Sequence, residues 1–309
     1  MERYYTYSRF LKEFFGKKIY KICLDGGFTC PNRDGSLSDI GCLFCSEGGS
    51  GEYAASVDLS IKEQITQGKA QTAKKYQGED YLAYFQAFTN TYAPLAVLRN
   101  LYEEAIECEE ICGIIIGTRP DCLAEEVLYL IEELNQRKPV FLELGFQTCH
   151  DSTASFLNRG YESSVLSDAV LRCASHGIRV SVHVIAGLPG ETKEMQYETI
   201  DFLNQLPIAG IKISMLYLLK NTPLASYYKE HPFPLYSLEE YVALMADYIE
   251  RLRPDIVIER ITGDGPRDLL IAPDWILHKR QVLNMIQKEL KQRDTVQGRK
   301  YVRRIFNTL

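Results

Sequence analysis

The chain has 309 residues, 46% hydrophobic and 25% charged, ordinary proportions for a soluble enzyme with one large α/β domain and a modest extension. No apolar run approaches the length of a membrane span, which argues against a spanning helix. The net charge of −6 hides an asymmetry, because residues 275–309 hold nine Lys/Arg against two acids.

Residues 1–18 alternate aromatic and charged side chains and lack the apolar stretch of a secretory signal, so a cytoplasmic location without membrane association is expected. In a reducing compartment the nine cysteines read as metal ligands and buried thiols rather than disulfides. Strand-like runs then follow at 18–25, 81–88, 113–118, 140–146, 178–186 and 210–218. Helical patterns lie between them near 59–76, 93–109, 123–137, 163–176 and 191–206. Such alternation requires crossover connections and predicts a parallel sheet.

Three of these strands carry a period of two. Leu142, Leu144 and Phe146 oppose Glu143, Gly145 and Gln147; Val180, Val182 and Val184 oppose Ser181 and His183; Ile211 and Ile213 oppose Lys212 and Ser214. A parallel strand covered on both faces is apolar on both. Polar alternate faces therefore predict an open barrel whose lumen is lined by Glu143, Gln147, His183 and Lys212, with a sheet having one solvent face as the alternative. The α/β core is expected over 1–219. A C-terminal extension over 220–309 follows, with a Pro/Tyr-rich segment, a helix near 238–252, a strand-like run at 255–261, a loop at 262–268 and a long helix near 273–293. Its basic tail suggests a polyanion contact confined to one place, or else a solvated terminal helix.

The chemistry concentrates in Cys30, Cys42 and Cys45, a Cys-x11-Cys-x2-Cys array directly after the first strand. The intervening loop is dense in turn formers and can wrap a bulky inorganic centre. Three thiolates hold a four-iron cluster by three corners and leave one iron open for a small molecule. Zinc ordinarily takes four protein ligands, and only Cys23, in mid-strand, is near enough to be recruited. Zinc or unconnected thiols stay as alternatives. Glu143 and Gln147 at the mouth of the fourth strand suit a cofactor, or cap the next helix. Arg119 and Asp121 either touch substrate or begin a helix. Lumenal His183 and Lys212 can contact cofactor or substrate. Cys108, Cys112, Cys122, Cys149 and Cys173 read as buried thiols.

These motifs resemble the radical S-adenosylmethionine (SAM) superfamily, in which an aromatic residue, here Phe44, precedes the last cysteine. The spacing of eleven departs from the commonest spacing of three. It is similar to the Elongator-catalytic-subunit-like branch, in particular to single-domain proteins with the loop Cys30-Pro31-Asn32-Arg33-Asp34-Gly35. Segments 117–121, 142–148, 187–191 and 262–268 extend the resemblance over nearly the whole chain. It implies a partial (β/α)6 TIM-like barrel with an α-rich C-terminal extension. It further implies a [4Fe–4S] cluster on Cys30, Cys42 and Cys45 whose open iron is chelated by the amino and carboxylate groups of SAM. Reductive cleavage would yield methionine and a 5′-deoxyadenosyl radical that abstracts a substrate hydrogen.

By the same resemblance Arg159 matches an arginine that meets the SAM carboxylate, and Gly187 opens the adenine-contacting segment. The usual GlyGlyGlu-type motif is absent, so backbone carbonyls around Thr89–Thr91 are expected to replace it. The branch acts on wobble uridine of tRNA. Nothing in the chain resembles an acetyltransferase, so a bond-breaking or remodelling step on a uridine side chain is expected, with flavodoxin or ferredoxin as electron donor. The alternatives are radical chemistry on a small metabolite, or a non-catalytic Fe–S protein that binds RNA.

Overall fold

A computed structural model describes residues 2–49, 55–73, 76, 78–263 and 265–302. The helices are α1 Tyr7–Phe15, α2 Ile61–Thr72, α3 Leu95–Glu107, α4 Glu125–Arg137, α5 Asp151–Phe156, α6 Ser163–Ser175, α7 Lys193–Leu203, α8 Pro223–Glu230, α9 Leu238–Arg251 and α10 Lys279–Gln292. Their starts follow local chemistry. Ser60 and Ser237 close capping boxes with Glu63 and Glu240, while Thr192 and Thr222 accept from the first turns of α7 and α8.

The strands are β1 Tyr20–Leu24, β2 Tyr81–Phe85, β3 Ile111–Thr118, β4 Val140–Gln147, β5 Arg179–Ala186, β6 Gly210–Met215, β7 Leu218–Leu219, β8 Val257–Ile261 and β9 Leu270–Ala272. Seven of them form one parallel sheet in the order β1-β2-β3-β4-β5-β6-β8, and β7 pairs with β9 in a separate antiparallel ribbon. The six expected strands are all present. The strand-like run near 255–261 joins the same sheet as β8, so the extension contributes a wall to the core.

A flat sheet of seven strands would hold its edges about 29 Å apart. Here Lys21 on edge strand β1 reaches Glu259 on edge strand β8 at 3.9 Å. The sheet is therefore curled into a half-barrel with its polar side chains facing inward. The outward faces of β2–β6 are covered by helices in one continuous core that includes Phe85, Ile114, Leu142, Leu144, Val182 and Ile213.

The N-terminal end of the barrel is stoppered. Leu11 of α1 packs with Ile19, Leu82 and Ile115, and the Phe10 and Phe14 rings meet Phe141 edge-on. Residues before α1 also cover the β8 edge, where the Ile258 amide donates to the Tyr5 carbonyl at 2.8 Å. The lumen thus opens at the C-terminal ends of the strands. Among the described residues no helix is long and apolar enough to cross a membrane.

Candidate active site

The cysteine loop is shaped before any ligand arrives. Cys30 and Asn32 carbonyls accept from Arg33 and Gly41 amides at 2.8 and 2.7 Å, and Cys42 accepts from the Cys45 amide at 3.0 Å. Arg33 straps the loop, donating to the Cys45 carbonyl at 3.2 Å while its guanidinium lies 5.4 Å from the Phe88 ring centre. A Cβ on Gly41, at φ +75°, would stand 2.9 Å from Arg33 Nε, so this turn admits only glycine comfortably. Asn32 Nδ2 donates to Cys42 Sγ at 3.4 Å and to the Asn158 carbonyl. Asn158 returns the contact to Gly41 at 2.7 Å.

Cys30, Cys42 and Cys45 line one cavity of about 200 Å³ at the lumen's mouth. Burial and the neighbouring Cys45 thiol push the Cys42 thiol up to about 12. Three thiolates so placed coexist only when a multivalent cation is shared among them. Among the described residues no three His, Cys, Asp or Glu side chains converge on one ion position. The corners of an iron–sulfur cube are spread wider than the ligands of one ion, and the donor set is all sulfur. The residues fit a [4Fe–4S] cluster.

Below the cysteines the lumen holds a buried ionic layer. Glu143 accepts from Lys212 and, at 3.4 Å, from Lys21; Lys212 also lies 3.3 Å from the Tyr84 hydroxyl. Burial pushes the Glu143 carboxyl up, but Lys212 and Lys21 more than offset it and hold it well below the carboxylate range. Burial lowers the Lys212 ammonium to about 8 despite Glu143. Lys21 is raised, because Glu143 and Tyr7 outweigh the burial that lowers it. Glu259 accepts from Ser181 Oγ, and burial raises its carboxyl. Glu143 and Lys212, expected as separate lumenal contacts, thus meet each other.

The other expected residues divide. Phe44, Gln147, Arg119, Arg159 and His183 line the same cavity as the cysteines. Gln147 ends β4 at φ +68° after a register shift, which turns it toward the mouth. Burial lowers His183 to about 3, so its imidazole is neutral. Asp121 instead grips Arg119 by both oxygens, at 3.0 and 2.7 Å, and Arg119 donates to the Arg159 carbonyl at 2.9 Å. That clamp holds a cation near Cys42, whose thiol it lowers against burial.

Arg159 has a different task from the ligand contact expected. Its guanidinium donates to the carbonyls of Tyr161 at 2.9 Å and of Phe146 and Thr148 at 2.7 Å, and to Asp151 and Ser163. Those bonds use all five of its N–H groups and pin the end of β4. Gly187 also differs: its φ is +83° and a Cβ there would come 2.8 Å from the Tyr236 ring, so the close neighbour is this chain's own tyrosine. In the 88–94 segment the carbonyls of Thr89 and Asn90 are already taken by the Tyr92 amide and Tyr102 hydroxyl. Within this segment the side-chain oxygens Thr89 Oγ1 and Asn90 Oδ1 are buried acceptors without a partner among the described residues.

Sequence reasoning missed Tyr161, whose ring lies under Arg119 and Arg159 at 5.0 and 4.5 Å and whose hydroxyl donates to the Gly145 carbonyl. It also missed Lys21, Tyr84, Glu259 and Arg260. The alternation of β1 and β2 was the available signal for the first two. Of the 262–268 loop, Asp264 lies outside the described residues, as do Arg303 and Arg304 of the basic tail.

A family model described as the radical SAM superfamily matches residues 30–203. The chain belongs to the radical SAM superfamily. A second model, the radical SAM C-terminal domain, matches residues 208–292 and so includes β6 and β8. Superfamily members use SAM and a [4Fe–4S] cluster, and neighbours sharing the fold are solved with one or the other bound. YtqA of Bacillus subtilis is 42% identical over 302 residues, covering 98% of this chain and 94% of that protein. A tRNA uridine(34) acetyltransferase of Dehalococcoides mccartyi is 27% identical over 164 residues, 52% of this chain and 35% of that one. Among solved structures, the archaeal Elp3 of Methanocaldococcus infernus superposes with a TM-score of 0.69 at 15% identity, covering 90% of this chain and 64% of that one.

Proposed function

We propose that this radical SAM enzyme remodels the side chain of wobble uridine in tRNA. The observation that carries the reading is a blind lumen, polar within, whose mouth is ringed by three thiols and two unpaired acceptors. Bound there, the cluster and SAM supply one-electron cleavage of a sulfonium and a carbon radical able to take hydrogen from substrate. Cys30, Cys42 and Cys45 hold the cluster, and Asn32 orients Cys42 by its amide donor. Arg119 balances the negative charge of the thiolates, fixed by Asp121. Thr89 Oγ1 and Asn90 Oδ1 accept the ammonium of SAM, and Phe44, Gln147 and His183 complete its walls. Arg159 and Glu143 act through others: the first pins β4, the second neutralises the two lysines beneath.

The tRNA reading draws on the acetyltransferase relative and on α10, where Arg280, Lys288 and Lys291 are exposed. Two other basic groups of that region are spent internally, since Arg293 pairs with Asp247 and Glu289, and Lys300 pairs with Glu250. The proposed polyanion contact therefore centres on the outer face of α10, with exposed Arg299 beyond its end. A cytoplasmic enzyme reduced by flavodoxin or ferredoxin fits this reading. Anaerobic reconstitution with dithionite and SAM should give 5′-deoxyadenosine whose formation rises on adding undermodified tRNA. Loss of one modified nucleoside from the tRNA of a deletion strain checks the same reading in cells. An unchanged nucleoside profile there sinks it.

A further inference from the structure

The ionic layer accounts for the lumen's charges with one exception. Across β4, β5, β6 and β8 the register places Gly145, His183, Lys212 and Arg260 in one row. Lys212 turns down to Glu143 in the row below. Glu259 and Arg260 are adjacent, yet both reach inward: Ile211 pairs with Ile258 and Lys212 with Arg260, so Glu259 is the extra residue of a bulge. Glu259 is taken by Ser181 and Lys21. Among the described residues Arg260 has no acid partner. Its Nε is buried and without a hydrogen-bond partner, and so is His183 Nε2, two strands away in the same row.

Charge counting points the same way. Among the described residues inward-facing Lys21, Lys212 and Arg260 stand against Glu143 and Glu259, which leaves one positive charge over. Arg260 is half-buried as a whole, and its buried Nε without a partner is a local cost that an anion would remove. On β3 the wall leaves space, since Gly117 carries no side chain and lines the cavity. A Cβ on Gly117 would make only ordinary contacts, the nearest at 3.4 Å.

We propose that Arg260 and His183 form a subsite for a carboxylate carried by the substrate. The guanidinium fork matches two oxygens in one plane, and neutral imidazole, as the Nε2–H tautomer, donates a further hydrogen bond. A phosphate would bring its ribose and neighbouring nucleotides into a cavity of about 200 Å³. A carboxylate on a short arm needs only the width of the lumen. The subsite rests on the reading of this cavity as a reaction chamber for a modified uridine. The alternative source of the same anion is the carboxylate of SAM itself.

The test uses the cluster-loaded full chain with S-adenosylhomocysteine at the mouth. Binding is measured for anticodon stem–loops bearing 5-carboxymethyluridine or its uncharged amide, 5-carbamoylmethyluridine, and for the two free nucleosides. The acid should bind about tenfold or more tighter than the amide. That preference should fall to near unity in Arg260→Met and recover partly in Arg260→Lys, with circular dichroism reporting that each variant is folded. Equal binding of acid and amide, no measurable binding of either acid, or a preference that survives Arg260→Met overturns the proposal. A tenfold loss of SAM affinity in Arg260→Met also overturns it, by giving the anion to SAM. If the stem–loops show no acid preference but the free acid does, lost in Arg260→Met, the subsite stands and the tRNA reading alone falls.

Discussion

The floor and the mouth of the lumen are both polar, and they are polar in opposite ways. On the floor Lys21, Glu143, Lys212, Tyr84, Ser181 and Glu259 satisfy one another. At the mouth and in the row just below it Thr89, Asn90, His183 and Arg260 hold buried atoms with no partner, beside three crowded thiols. A satisfied buried network contributes shape, whereas orphaned donors and acceptors mark places where a ligand completes the bonding. Polarity alone therefore does not locate the site; unmet polarity does.

The contrast is broken most severely at the mouth. Replacing Cys30, Cys42 or Cys45 with Ala should abolish the iron–sulfur absorbance and reduce 5′-deoxyadenosine to background. The secondary structure should be kept, because these thiols lie on a loop outside the barrel's core. On the floor, Glu143→Gln strands Lys21 and Lys212 without their shared counter-charge and should cost about 3 kcal/mol in urea unfolding. The double change Glu143→Leu with Lys212→Met should recover most of that loss; equal loss in the double variant would show that the pair does not act as a unit.

The smallest effect sharpens the boundary between the two layers. His183 is neutral in the fold because burial lowers it to about 3, whereas the unfolded chain titrates near the ordinary value. The unfolded state therefore binds the extra proton as pH drops below about 6.5, and stability is lost toward pH 3. His183→Gln should flatten that acid limb by up to about 1.4 kcal/mol per pH unit between pH 6 and 4. An unchanged slope would mean that the imidazole is charged within the lumen.

Much of this arrangement was readable in the chain. The Leu142–Gln147, Val180–Val184 and Ile211–Ser214 alternations place the same residues against the helices and in the lumen that the structure does. Cysteine spacing located the mouth. What escaped has physical causes. The β8 bulge puts Glu259 and Arg260 on the same side, which defeats a period of two. The bonds that claim Arg159 run to carbonyls of β4 and its following turn, and no side-chain pattern announces a backbone acceptor. Gly187 meets Tyr236 across 49 positions of chain, a closeness set by folding of the Pro/Tyr-rich segment over the barrel. The Glu143–Lys212 pairing depends on β4 and β6 flanking β5, a neighbourhood fixed by strand order.

The aromatic stopper made by α1 has a consequence for traffic. With its far end sealed, the chamber is entered at the C-terminal ends of its strands. A guest held on Arg260 beneath the proposed SAM position would have to board before SAM and leave after the products of its cleavage. Such an order, last in and first out, would be set by the plug rather than by the chemistry.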